Sequence, residues 1–165
     1  MLQPSRRRTW ALRGQTPVQY TWDRHDRFSV ITAITLAPRR KRFGLYFHMQ
    51  RRNIRFDSVL EFVSVLLRRL QRGFILVLDR YNVHRKAARL LLDKTGRVGV
   101  EWLPAYAPEI NPVEQVWNRS KNVELGNFIP EDADHLGREI KKALRRQRGR
   151  SDLFLSYFKH AGLVL

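Results

Sequence analysis

The chain contains no cysteine, which excludes a disulfide framework and any zinc site built on thiolates. Long apolar runs are also missing. The longest are strand-sized and interrupted by charge, so no segment is expected to span a bilayer. The arginines near the start have no apolar stretch behind them, and no secretory signal is expected. Acidic residues are scarce: 15 Asp and Glu stand against 32 Lys and Arg, leaving a formal charge of +17. No internal repeat is visible, and 165 residues suffice for one ordinary core rather than two domains.

Basic residues are abundant, and arginine greatly outnumbers lysine among them. The planar guanidinium fork matches phosphate oxygens, so the excess points to a polyanionic partner and to salt-sensitive binding of nucleic acid. An acidic protein partner, or a basic surface with no dedicated partner, would also satisfy the composition.

Residues 1–17 form a basic, turn-rich lead-in punctuated by Gly14 and Pro17. Phe28 to Leu36 and Gly44 to Met49 are rich in β-branched and aromatic residues. The intervening Pro38-Arg39-Arg40-Lys41-Arg42 predicts an antiparallel hairpin with a basic loop. From Asp57 to Arg69, Val59, Leu60, Phe62, Val63, Leu66 and Leu67 recur at helical spacing, with Gly73 as the stop. Phe74 to Leu78 has the length and composition of a buried strand. A helix is expected from Val83 to Leu92 and a short strand from Val98 to Leu103. Pro104, Pro108 and Pro112 should hold their segment extended, because each disfavours helix in the residue before it. A helix from Pro112 to about Val123 follows. An amphipathic helix from about Glu131 to Arg148 puts Leu136, Ile140 and Leu144 on one face, and a short helix from Asp152 to His160 ends a mixed α/β order.

Two acids stand out. Asp79 ends the Phe74–Leu78 run, so its carboxylate should emerge at the C-terminal end of a strand, where open α/β sheets place their ligands. Glu114 follows Asn111-Pro112, which has the form of an N-cap and first helical residue. With 34 residues between them, such a pair makes an oxygen-rich site suited to Mg²⁺ or Mn²⁺. In the empty site their repulsion should raise at least one pKa. Each also has a plainer reading: Asp79 as a turn-tightening residue at a strand exit, Glu114 as the far member of a capping box with Asn111.

The neighbours are open in the same way. His84 fits a helix surface or an outer layer of the site better than direct ligation, and Asn82 either faces the site or starts the helix. Trp117 and Lys121 should share Glu114's helical face, Trp117 as core packing and Lys121 as a phosphate contact. Tyr106 either stacks on a base or anchors its loop. Candidates for DNA contact are Arg39, Arg40, Lys41, Arg42, Lys121, Arg145, Arg146 and Arg148. A solvated loop, and a helix end whose cations complement the dipole, are the alternatives.

Taken together, these residues resemble the DDE superfamily transposases, in the insertion-sequence branch related to mariner elements. The resemblance rests on Arg7-Arg8-Thr9-Trp10 to Gly14-Gln15-Thr16-Pro17 and on the strand ending at Asp79 with His84 after it. It rests further on the loop Leu103-Pro104-Ala105-Tyr106-Ala107-Pro108 and on Asn111-Pro112-Val113-Glu114 with Trp117 and Lys121. It implies one ribonuclease-H-like catalytic domain over residues 1–165, a mixed sheet flanked by helices. The implied activity is metal-dependent DNA cleavage and strand transfer, with Asp79 and Glu114 as metal ligands and the second and third acids of a triad. Two Mg²⁺ or Mn²⁺ ions would serve a complete site.

In the family the first acid ends a strand just before the segment matching Arg6 to Pro17. Asp23 and Asp26 fall after that turn instead. The expectation is therefore an N-terminally truncated domain, lacking the first strand and any helix-turn-helix module, with little activity in isolation. A non-catalytic DNA-binding or assembly remnant is the rival. Implied partners are transposon-end and target DNA, the upstream part of the same transposase and a second copy, in the cytoplasm at the nucleoid.

Overall fold

A computed structural model describes residues 5–15, 17–18, 27–37, 39, 42–92 and 96–163. Strand β1 (Ser29–Ala37) pairs antiparallel with β2 (Arg42–Gln50), from Ser29 opposite Gln50 to Ala37 opposite Arg42. Gly44 lies opposite Thr35, and a Cβ there would stand 2.6 Å from the Thr35 hydroxyl, so a larger residue would force the Thr35 side chain to move. Helix α1 (Phe56–Arg69) follows. It ends before Gly73, the expected stop, because Leu70 leaves helical geometry and the Arg97 guanidinium donates to the Leu70 carbonyl at 2.6 Å.

Strand β3 (Phe74–Leu78), helix α2 (Asn82–Leu92) and strand β4 (Val98–Trp102) form a parallel β-α-β unit, with Phe74 opposite Val98 and Leu78 opposite Trp102. A 3-10 turn at Pro108–Ile110 leads into α3 (Pro112–Arg119), then a π-helical turn at Ser120–Glu124, α4 (Ala133–Arg148) and α5 (Ser151–His160). The two strand pairs are separate ladders among the described residues.

Burial on β1 explains the layering. Val30 and Ile34 pack into a core of Phe28, Leu45, Val116, Leu136, Ile140, Leu144 and Phe154, the side covered by α3, α4 and α5. Ile31 turns to the opposite core, built by Val59 and Val63 of α1 and Ala87 and Leu91 of α2. Phe74 and Leu76 of β3 join this second core, so α1 and α2 hold both strand pairs on one face. Gly137 lets α4 approach β1, since a Cβ there would meet the Phe28 ring at 3.0 Å.

Three expectations need correction. The apolar run of β3 suggests a strand covered on both faces, yet Ile75 and Val77 are 68% and 55% exposed, because α3 and α5 lie over the β1–β2 pair instead. The 104–112 segment is not extended. Proline fixes its own φ and restrains the residue before it, so Pro108 itself can open a 3-10 turn, and Asn111 before Pro112 is extended. The helix expected to run to Val123 stops as α-helix at Arg119, where the Leu125 N–H reaches back five residues to the Ser120 carbonyl.

Candidate functional site

Asp79 leaves β3 at its C-terminal end. Its Oδ1 accepts from the Tyr81 N–H at 3.1 Å and from Nδ1 of His84 at 2.5 Å. A carboxylate can only accept, so the imidazole proton sits on Nδ1. The turn-tightening role is thus real, but it occupies one oxygen; among the described residues Oδ2 has no hydrogen-bond partner. The His84 hydrogen bond pulls the Asp79 pKa below its ordinary value, outweighing partial burial, with its charge and the Tyr81 amide adding in the same direction. The anticipated upward shift from carboxylate repulsion is therefore not what governs Asp79. His84 acts on the carboxylate from α2, whose first residue is Asn82.

Glu114 sits in the first turn of α3, one face of which is buried through Val116. Asn111 is the N-cap: its side chain accepts from the Val113 N–H at 3.2 Å, with Pro112 at the first helical position. A capping box would need the Glu114 carboxylate on the Asn111 N–H. That N–H donates instead to the Pro108 carbonyl at 3.0 Å, within the 3-10 turn. The Glu114 side chain is exposed and free of this local duty.

The two carboxylates meet on one cavity of about 320 Å³. Asp79, Arg80, Tyr81 and Arg85 line it from the β3–α2 side, and the 103–108 loop, Asn111 and Glu114 close it from the other. The loop is fixed at its start, where the Leu103 N–H donates to the Leu78 carbonyl at 2.9 Å and Arg80 Nε donates to the Leu103 carbonyl at 3.2 Å. At its tip Tyr106 adopts φ +59°, a left-handed backbone that costs a side-chain-bearing residue about 1–2 kcal/mol, and its ring is fully exposed.

Arg80 and Arg85 were not singled out from the sequence. Their signal was position, Arg80 directly after Asp79 and Arg85 directly after His84, hidden in a chain crowded with arginine. The two cations offset the two carboxylates, so the cavity can accept a phosphate group that an acidic pair alone would repel.

Other candidates lie elsewhere. Trp117 packs against the first core, as expected. Lys121 falls in the π-helical turn and does not line the cavity; its carbonyl accepts from the Ser5 hydroxyl at 2.8 Å. Arg39 and Arg42 are exposed at the hairpin, while Arg40 and Lys41, like Asp23 and Asp26, lie outside the described residues. Arg145 is exposed on α4. Arg146 pairs with Glu124 at 3.1 Å. Arg148 donates to the Leu45 carbonyl at 2.9 Å and lies over the Phe47 ring, so it fastens α4 to β2.

The site offers two carboxylates, one with a free oxygen, and carboxylate oxygens are the donors that hard cations prefer. The described residues contain no cluster of three or more His, Cys, Asp or Glu able to hold a metal ion. None of their helices is long and apolar enough to cross a membrane.

Mixed strands between helical layers give the chain a ribonuclease-H-like α/β fold. Two solved structures share the fold. The Mos1 Strand Transfer Complex matches with a TM-score of 0.61 and 14% identity, over 96% of this chain and 46% of that chain. The Mos1 mariner paired end complex with Mn matches with a TM-score of 0.62 and 14% identity, over 98% and 48%. The present chain thus spans about half the length of the chains in those structures. The family model for the DDE superfamily endonucleases matches residues 1–136, and the chain belongs to that family. No curated protein sequence matches it.

Proposed function

We propose that the chain is the catalytic core of a DDE-type transposase, acting in metal-dependent cleavage and strand transfer of DNA. The observation that carries the reading is the meeting of Asp79 and Glu114, remote in sequence, on one cavity that also holds Arg80 and Arg85. Asp79 Oδ2 and the Glu114 carboxylate would hold a divalent cation such as Mg²⁺ or Mn²⁺. When bound, the cation supplies charge relief at a phosphodiester and a more nucleophilic oxygen. His84 and the Tyr81 amide fix the Asp79 carboxylate by its other oxygen. Arg80 and Arg85 receive phosphate oxygens, and the surrounding basic surface draws in the polyanion. The manganese named with one of the similar structures fits this choice of cation.

A DDE site uses three acids, and the described residues bring two to the cavity. The third would come from a segment outside them. That same shortage favours a second reading, a DNA-binding or assembly protein without catalysis.

Nicking of supercoiled DNA, titrated with Mg²⁺ and Mn²⁺, tests the proposal. Binding should fall steeply with salt. Any nicking should need the metal and vanish in both Asp79→Asn and Glu114→Gln. Nicking that survives both substitutions overturns the assignment. Robust cleavage by the wild-type chain would mean that residues of this chain outside the described ones complete the site. Salt-dependent binding with no nicking at any metal concentration favours the second reading.

A further inference from the structure

Tyr106 has two available roles from sequence, loop anchor or base platform, and the coordinates remove the first. A loop anchor buries its ring against something. The Tyr106 ring is 102% exposed, stacks on no other ring, and its hydroxyl has no hydrogen-bond partner among the described residues. The backbone holding it is left-handed at φ +59°, an unfavourable setting for an aromatic residue that glycine or asparagine would occupy at lower cost. Nothing in the folding of the loop compensates for that choice.

The loop is nevertheless held firmly. Pro104 and Pro108 restrict it on either side of the tip. The Leu103 N–H is tied to the Leu78 carbonyl beside Asp79, and the Asn111 N–H to the Pro108 carbonyl below Glu114. A rigid turn therefore projects a bare aromatic face from the rim of the cavity that holds both carboxylates and both arginines. The chemistry that fits is a π-face attached to a phosphate: a nucleobase next to the phosphodiester in the cavity, out of its duplex stack.

We infer that Tyr106 is a stacking platform for the DNA base flanking the phosphodiester bound at Asp79 and Glu114. It positions the strand by its base, whereas Arg80 and Arg85 hold it by its phosphate. The inference rests on the reading of this cavity as a DNA site. Every base has a π-face, so the contact is tolerant of sequence, and it requires a base freed from pairing.

Two fluorescein-labelled 12-nucleotide single strands separate the terms: one bearing all its bases, the other abasic throughout, with the same phosphates. The full chain should bind the base-bearing strand about 5- to 150-fold more tightly, the range of one base–aromatic stack. Tyr106→Phe should keep that preference. Tyr106→Ala and Tyr106→Gly should lose it while binding the abasic strand as the wild type does; glycine relieves the left-handed backbone and so tests the ring without strain. Trp10→Ala, which removes an exposed aromatic ring away from the cavity, should keep the preference.

A base preference that persists in Tyr106→Ala, or is absent from the wild type while both strands bind in a salt-dependent way, overturns the inference and leaves the DNA reading standing. Equal weakening on both strands in Tyr106→Ala would assign Tyr106 a structural role instead. Failure of the wild type to bind either strand would remove the DNA reading, and this inference with it.

Discussion

Gln147 offers the sharpest test of how the helix carrying Glu114 is held. Its side chain is completely buried on α4; Nε2 donates to Ser120 Oγ at 2.9 Å, and Oε1 accepts from the Tyr157 hydroxyl at 2.8 Å. Ser120 is also fully buried and closes α3, so this chain of hydrogen bonds links α3, α4 and α5. Gln147→Leu keeps the volume roughly constant but strands the Ser120 and Tyr157 hydroxyls. Each stranded group costs about 1–3 kcal/mol, and the added apolar burial returns part of it. The net loss should be about 2–4 kcal/mol, a large share of the roughly 5–15 kcal/mol that holds an ordinary domain folded. Urea unfolding followed by circular dichroism should show a lower midpoint with an unchanged slope.

Tyr157→Phe strands only the glutamine oxygen and should cost about 1–2 kcal/mol. The double variant should be about 1 kcal/mol more stable than the sum of the singles, because the phenol left unpaired by the first change is removed by the second. Burial raises the Tyr157 pKa. A raised pKa gives stability that is complete below the unfolded value of about 10 and is lost as pH rises through the folded value. Tyr157→Phe should abolish that alkaline loss. Additive variants, or a Gln147→Leu cost below about 0.5 kcal/mol, would refute the buried link.

Further expectations follow from single contacts. His84→Ala should raise the Asp79 pKa toward its ordinary value, so that the stability this carboxylate gives above the unfolded pKa shrinks and less of it is left to lose on acidification. Side-chain carboxyl NMR titration checks the shift, and divalent affinity should drop about 10- to 100-fold by calorimetry. Arg148→Ala should lower stability by about 1–2 kcal/mol through the Leu45 carbonyl and the Phe47 ring. Arg145→Ala should leave stability unchanged yet reduce the salt slope of DNA binding by about one, measured by anisotropy. Asn111→Ala should destabilise by about 1 kcal/mol, read in thermal melts, since the cap on Val113 is lost.

Much of the scaffold was legible because its signals are periodic. The 3.6-residue spacing of Leu136, Ile140 and Leu144 anticipated a helix face that is completely buried. The apolar run from Phe74 to Leu78 marked a strand with the expected bounds, and Asn111-Pro112 marked the start of α3. The two acids of the cavity were legible for the same reason, each standing at the end of such a signal.

What sequence could not supply depends on distant partners. The π-helical turn after Arg119 begins at a serine held by a glutamine 27 residues away, and no local pattern encodes that bond. Arg80 and Arg85 differ from the other arginines only by the loop folded against them. The strain at Tyr106 is a φ angle, and tyrosine carries no preference that announces it.

The central claim is that Asp79 and Glu114 grip the same cation, and Mn²⁺ binding followed by the electron paramagnetic resonance of the free ion tests it most directly. The wild-type chain should bind Mn²⁺. Asp79→Asn and Glu114→Gln should each weaken binding at least about tenfold, with the double variant little worse than either single, as for two ligands of one ion. No binding by the wild-type chain, or a variant that binds as tightly as wild type, would contradict a shared site.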